Sequence, residues 1–427
     1  MKSKIENCEL KIGAHVICYM FHDIYMKLLL IKLGKAYATI RREGIFRGGK
    51  RVLLFLGAYF ESIVGVKAGD ILFITPGVGD SALYRAHNQA EELRTHGFKV
   101  SITMQDNPFL VGLSKKFKIF VFNRTLQTAS TDKLISEIKK QNGEIIFDTD
   151  DLVFDVKYIQ QTDHYARMSH FEKKQYAKGV GEEILKDPYV KVCTTSTKFI
   201  AAILKEYGKK VFVITNKLSS QWVAIADKLL ENFSKEKEGK KKIRIGYFSG
   251  TIGHNKDFAT ISDALIKILK KYPQVEIFLA GPLELEKKMA EFSERIVRSM
   301  YAPRKKHFEN VFSCDIILAP LEIDFFSEGK SELKFFESGL LKVPIVAVRN
   351  STYENVIIDG ENGFLAESDD EWVEKLSKLI EDSKFRKEMG ERAREKALRD
   401  YTTQNSHSNE YYAYLKACIK KENDSSV

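Results

Sequence analysis

The chain has 427 residues, a net charge of +10, 44% hydrophobic residues and 30% charged ones. Length and apolar share exclude a disordered chain and leave room for two domains with separate cores. The charge calls for an anionic partner, while five scattered cysteines with no CxxC pair argue against structural zinc or a disulfide framework.

Residues 1–68 form an N-terminal extension. Its segments HDIYMKLLLIKLGKAYATIRREG and KRVLLFLGAYFESIVG carry apolar residues at helical spacing, interleaved with Lys27, Lys32, Lys35, Arg41, Arg42, Arg47, Lys50 and Arg51. Two readings fit: a helical arm packed on the next domain, or an amphipathic element lying on an anionic membrane through residues 14–60. A membrane-spanning helix is not expected, because His22, Asp23, Lys27 and Lys32 interrupt the tract Ala14 to Leu33. No signal-peptide pattern is expected either, and the chain is placed in the cytoplasm or at the inner membrane face.

From 69 to 220 short apolar runs alternate with helical segments. DILFITPG, FKVSITMQ, KIFVFNR, EIIFDTDD, VKVCTTS and KKVFVITN read as strands, which predicts a doubly wound, mostly parallel sheet with ligands at the strand carboxyl ends. At the first such end Gly77-Val78-Gly79-Asp80-Ser81 offers a flexible turn, followed by Tyr84, Arg85 and His87 on a helix opening. Arg85 is the preferred phosphate or acceptor contact; His87 fits either an acceptor contact or a structural histidine. Asp148, Asp150 and Asp151 in FDTDDL could hold a metal or form an acidic acceptor-side lip, and the lip, through Asp150, is preferred. His164 is a weaker candidate of the same kind.

A helix fading into a charged tract over 221–242 reads as the linker, and a second α/β domain follows over 243–400. KIRIGYFSG, VEIFLAG and CDIILAP are its expected strands. The most informative stretch is GKSELKFFESGLLKVPIVAV, Gly329 to Val348, a polar turn leading into a helix and a buried strand. Backbone N–H groups at Lys330, Ser331 and Glu332 would open that helix unpaired, and Lys330 and Lys334 add full charges, so a diphosphate could sit there. Glu337 carries a carboxylate able to accept two hydrogen bonds from a ribose diol. A tight turn, Asp359-Gly360-Glu361-Asn362-Gly363, follows downstream, and residues 401–427 read as a last helix crossing back to the first domain, with a frayed tail.

The donor loop, Glu337 and the DGENG turn together resemble the nucleotide-sugar-binding half of family 4 glycosyltransferases (glycosyl transferases group 1), which have the GT-B architecture of two Rossmann-like domains. The resemblance implies a second-domain loop, with Gly250, Thr251 and His254 at the donor, and Lys256, Lys330 and Lys334 neutralising the diphosphate that leaves. Glu337 then holds the ribose, with Ser331 and Glu332 beside the phosphates, while Gly79, Tyr84, Arg85, His87 and Asp150 face the acceptor. A retaining hexosyltransferase with no metal and no cofactor beyond its nucleotide-sugar donor is implied, acting on a glycan or lipid-linked acceptor in cell-envelope polysaccharide synthesis. The variant KSxxKxxE, at Lys330, Ser331, Lys334 and Glu337, resembles a surface-polysaccharide subset of the family. One departure stands out: the family's first glutamate falls on Gly329, with Glu328 one place off. That leaves two alternatives, a non-catalytic glycan-binding or scaffold protein on the same fold, and a GT-B phosphorylase or epimerase. Nucleic acid is not expected as a partner, since no aromatic-basic recognition motif accompanies the charge.

Overall fold

The computed structural model describes residues 44–160, 179–238, 242–250, 255–300 and 302–420, with a few positions before 44 and between 160 and 179. Thr251, His254, His164, most of the basic stretch before Gly44 and the tail from 421 lie outside the described residues.

Two parallel six-stranded sheets carry the fold. The first contains β1 (Ile71–Thr75), β2 (Val100–Met104), β3 (Ile119–Asn123), β4 (Glu144–Thr149), β5 (Val192–Thr195) and β6 (Lys210–Val213), in the order β2-β1-β3-β4-β5-β6. The second contains β7 (Ile243–Phe248), β8 (Val275–Ala280), β9 (Ile296–Ser299), β10 (Ile316–Ala319), β11 (Ile345–Val348) and β12 (Phe364–Ala366), in the order β12-β11-β10-β7-β8-β9. The inner strands β1 and β3 are unbroken apolar runs, ILFI and IFVF, because helices cover both faces of a parallel sheet, whereas the edge strand β2, VSITM, alternates. Each sheet reverses its strand order once, between β1 and β3 and between β7 and β10. Ligand crevices of doubly wound sheets form at such reversals, beyond the carboxyl ends of the strands.

The helices that matter for the site are α1 (Ile45–Val64), α2 (80–95), α3 (Ser220–Glu238), α4 (Arg304–Phe312), α5 (Leu333–Leu340), α6 (Ser383–Asp400) and α7 (Asn409–Lys420). The region read as a linker is largely α3, whose Trp222, Ala226 and Leu229 are buried in the second domain's core. Their spacing of three and four places all three on one face. Helix α7 lies on the first sheet, where Tyr411, Tyr412 and Leu415 join Ile71, Phe73 and Val121 in one apolar cluster. The chain therefore passes between the domains twice. The two passages touch, since the Leu218 N–H donates to the Tyr401 carbonyl (2.7 Å) and the Thr403 N–H to the Leu218 carbonyl (3.0 Å).

Two glycines are demanded by close approach. Gly281 has φ +93°, and a Cβ there would lie 1.9 Å from the Ser249 carbonyl, so the loops after β7 and β8 can meet only with glycine. Gly390 on α6 faces the C-terminal end of α5, where a Cβ would fall 2.1 Å from the Lys342 carbonyl. Gly390→Ala should therefore force α6 away from α5 at a cost of about 1–3 kcal/mol. A lower urea midpoint followed through Trp372 is the expected result; an unchanged midpoint would show that the helix contact yields freely.

Candidate functional site

The contacts that join the domains come from residues following strand carboxyl ends. Lys330, after β10, reaches Asp151, after β4, at 3.2 Å, and Asn216, after β6, donates to the Ser331 hydroxyl at 3.2 Å. Arg304, after β9, pairs with Asp80, after β1, at 2.7 Å. The loops that sequence reading assigned to donor and acceptor thus line one crevice.

Glu337 stands at its centre. The apolar spacing Phe336, Leu340 seats α5 on the second core, and the intervening turn carries Glu337 to the domain junction, where it is 9% exposed. One carboxylate oxygen, Oε1, accepts from the Tyr84 hydroxyl and from Arg304 Nη1 (2.7 Å); the other, Oε2, bonds His307 Nε2 (3.1 Å). Burial works against the charged form, but the charges of His307 and Arg304 and hydrogen bonds from His307 and Tyr84 outweigh it and hold the pKa at about 2. Burial and the adjacent carboxylate push the Tyr84 phenol well up, so it donates.

Arg304 and His307 were not read from the sequence as site residues. Both lie in APRKKHFEN, which looks like a solvated basic stretch, yet a spacing of three puts them on one face of α4. Arg304 is also stacked between Tyr84 and Trp222, 5.2 Å from each ring centroid.

Lys334 supplies the cation. It occupies the first turn of α5, three residues before Glu337, half-buried over the Tyr247 ring at 5.7 Å from its centroid. Its ammonium makes no hydrogen bond or ion pair with any described residue. Burial pulls its pKa down, against support from the carboxylates of Asp257 and Glu337. A half-buried ammonium with no directly bonded partner among the described residues, at a helix N-terminus, is suited to an anionic ligand. Lys256 lies exposed on the short helix Asn255–Ala259 that follows the β7 loop. A Cβ at Gly250 or Gly79 would meet nothing within 4 Å among the described residues.

Other assignments need correction. Helix α5 begins at Leu333, not at Lys330, with Glu332 as its N-cap. The Glu332 carboxyl is buried against Tyr401, and burial pushes its pKa up, so it faces the core rather than a phosphate. Arg85 is fully buried and bonds Asp148 through Nη2 (2.6 Å) and Nε (3.1 Å), with Asn216 and the Ile214 carbonyl as further acceptors; it braces the first domain. His87 turns outward into a cavity of about 540 Å³ beside Glu91, Arg94 and Trp222, on the other side of α2 from Asp148. Tyr84 belongs to the domain junction, bonded to Glu337. Asp150 accepts from Ser81 (2.9 Å) and Arg124 (3.4 Å) at the first domain's lip. The three aspartates of FDTDDL therefore have separate protein partners: Arg85, Ser81 with Arg124, and Lys330. Glu328 turns away to cap the next short helix, accepting from the Ser351 N–H (3.1 Å) and hydroxyl. The DGENG turn is structural. Asp359 accepts from the Leu365 N–H (2.8 Å), Asn362 from the Ile358 N–H (2.8 Å), and Gly360 takes φ +82°.

Two Rossmann-like domains facing across such a crevice define a GT-B protein. Residues 227–396, which span most of α3 and of the second domain, match the family described as glycosyl transferases group 1. No curated protein matches the chain. Among solved structures, the fold is similar to that of HepE from Anabaena in complex with UDP and glucose, at 13% identity and a TM-score of 0.53, covering 84% of this chain and 100% of that one. It is likewise similar to the sucrose-phosphate synthase of Thermosynechococcus elongatus (13% identity, TM-score 0.55, 84% and 100% covered) and to a glycosyltransferase from Rickettsia africae (15%, 0.52, 84% and 98%).

The Glu337 carboxylate gives a pH signature. Its folded pKa lies below the ordinary value of 4.5, so its stabilising contribution is complete above that value and is lost as pH falls toward 2. That contribution is on the order of 3 kcal/mol. Glu337→Gln should lower stability at neutral pH and flatten the acid limb of the stability profile. Equal acid slopes for variant and wild type in urea unfolding would show that the carboxylate is not held by these partners.

Proposed function

We propose that the protein is a glycosyltransferase that moves a sugar from a nucleoside diphosphate sugar to a glycan or lipid-linked acceptor in cell-envelope polysaccharide synthesis. The observation that carries this reading is the pairing, on one helix turn, of the Lys334 ammonium, which makes no hydrogen bond or ion pair with a described residue, and the ionised Glu337 carboxylate. The first suits a diphosphate, the second a ribose diol. The family match over residues 227–396 and the UDP and glucose bound by HepE support it.

In this reading the diphosphate lies at the N-terminus of α5, with Lys334, Lys330 and Lys256 around it. As the bond from the anomeric carbon to the diphosphate breaks, negative charge grows on the leaving oxygen, and preorganised ammonium groups stabilise it without reorganisation. The acceptor hydroxyl oxygen bonds to the anomeric carbon on the face the diphosphate leaves, and its proton passes to the diphosphate, which retains configuration. The lysines thereby do the work a metal would do elsewhere. The acceptor enters from the first-domain lip near Asp150 and Ser81, at the cytoplasmic face of a membrane to which the basic segment 14–60 brings the protein.

A second reading, binding without transfer, is favoured by one observation. With Gly329 in place of the family's first glutamate and Glu328 bonded to Ser351, neither position offers a carboxylate to the donor sugar. Nucleotide binding without turnover would favour it.

Calorimetric titration with UDP, GDP, dTDP and CDP in the presence of a chelator tests the seat. One of them should bind, and Glu337→Ala should cost on the order of 1.5–3 kcal/mol, roughly tenfold or more in affinity. Lys334→Ala should weaken the diphosphate while leaving the nucleoside unaffected. Undiminished binding in both folded variants would remove the assignment.

Tyr84 makes a separate test. Its hydroxyl donates to the carboxylate that the ribose would use, so the ribose must displace it. Tyr84→Phe keeps the ring packed against Trp222 and Phe336 and removes the competing donor, and should tighten nucleotide binding by a factor corresponding to about 0.5–1.5 kcal/mol. Weaker binding in this variant would mean that Tyr84 acts with the ligand instead.

A further inference from the structure

Helix α1 has two unlike faces. One is fixed to the edge of the first sheet at β2: the Tyr59 hydroxyl donates to the Asp106 carbonyl (3.2 Å), and Thr103 donates to the Ser62 carbonyl (3.0 Å). The other face carries Ile45, Phe46, Leu53, Leu54, Leu56, Phe60 and Val64, each more than half exposed, with Phe46 at 93% and Leu53 at 70%. At 3.6 residues per turn all but Leu54 fall within an arc of about 100°, and Leu54 lies roughly 80° beyond its edge. An apolar stripe of this width is normally buried.

Its direction is informative. The contacts run Tyr59 to Asp106, Ser62 to Thr103 and Lys67 to Ser101, so the chain is antiparallel to β2. Residues before Tyr59 therefore extend past the carboxyl end of the sheet, by roughly 20 Å at 1.5 Å per residue. That is the end at which the crevice opens. Two further apolar side chains lie in loops at the same end, Val78 after β1 and Phe109 after β2, the latter 67% exposed.

The charge identifies what covers the stripe. Residues 24–60 hold eight basic residues (Lys27, Lys32, Lys35, Arg41, Arg42, Arg47, Lys50, Arg51) against one acidic, Glu43, a net +7 of the chain's +10. Lys50 and Arg51 are exposed on α1 itself. A protein partner would need a matching acidic groove, whereas an anionic bilayer meets an apolar stripe and a basic flank at once. No described helix is long and apolar enough to cross a membrane, so α1 could meet a bilayer only by lying along its surface.

We infer that the outward stripe of α1, centred on Leu53 and Phe60, inserts into the headgroup region of an anionic bilayer and sets the mouth of the crevice against it. This rests on the reading of a lipid-linked acceptor, whose reacting end would then arrive at the first-domain lip without leaving the membrane.

Flotation of the full chain with vesicles of phosphatidylglycerol and phosphatidylcholine, or of phosphatidylcholine alone, tests it. The wild type should float with the anionic vesicles, less so at high salt, and stay behind with the neutral ones. Leu53→Glu with Phe60→Glu should lower partitioning at least tenfold while leaving the nucleotide titration unchanged, which also reports that the variant is folded. Failure of the wild type to float, or equal flotation of the double variant, overturns the inference. So does a lipid-free dimer that the same double variant dissociates, which would give the stripe to a second copy. Absence of nucleotide binding alongside normal flotation would instead sink the transferase reading and leave the membrane contact standing.

Discussion

An ionised carboxylate withdrawn from water is costly unless charged and hydrogen-bonded partners surround it, and Glu337 is ionised at a point of the junction that both domains reach. Its three partners come from two segments: Tyr84 from the first domain, and Arg304 and His307 from a helix that is not its own. Each is placed by the need to satisfy that charge. Arg304 in turn is oriented by stacking between Tyr84 and Trp222 and by Asp80. Removing the carboxylate would leave the buried Tyr84 phenol without its acceptor and Arg304 paired with Asp80 alone, so the packing of the junction depends on this group.

The ammonium of Lys334 is the complementary case. The fold satisfies Lys330 through Asp151 but supplies no such partner to Lys334 among the described residues, and desolvation has already lowered its pKa. An anion that arrives there finds a cation whose water has partly been removed, which raises the strength of the interaction and lowers its desolvation cost.

The fold was legible because parallel strands buried on both faces are written as continuous apolar runs, and eleven of the twelve strands fall within segments that stand out in this way or directly after a recognisable helix. Strand β9 was not, since IVRS is short and holds an arginine. The placing of Glu337 and Lys334 together was legible as well, because a spacing of three puts them on one face of one helix. Arg85 was misjudged for the opposite reason. An arginine after a glycine turn looks like a phosphate contact, and nothing local shows that Asp148, 63 residues away, will take it into the interior. Arg304 and His307 were hidden among neighbouring lysines for want of the same long-range knowledge. Glu332 was misplaced by a shift of the helix start, which is where sequence patterns locate elements least well.

The double passage of the chain between the domains constrains how they can move. A single connecting segment would let one domain swivel and twist against the other. Here the segments around Leu218 and Tyr401–Thr403 are bonded side by side, and α7 is anchored in the first core. Two strands fixed to each other behave as a hinge pin: they permit bending about their common line and resist torsion. A crevice opening about that pin would part the loops after β1 and β9 together, breaking the Arg304–Asp80 pair.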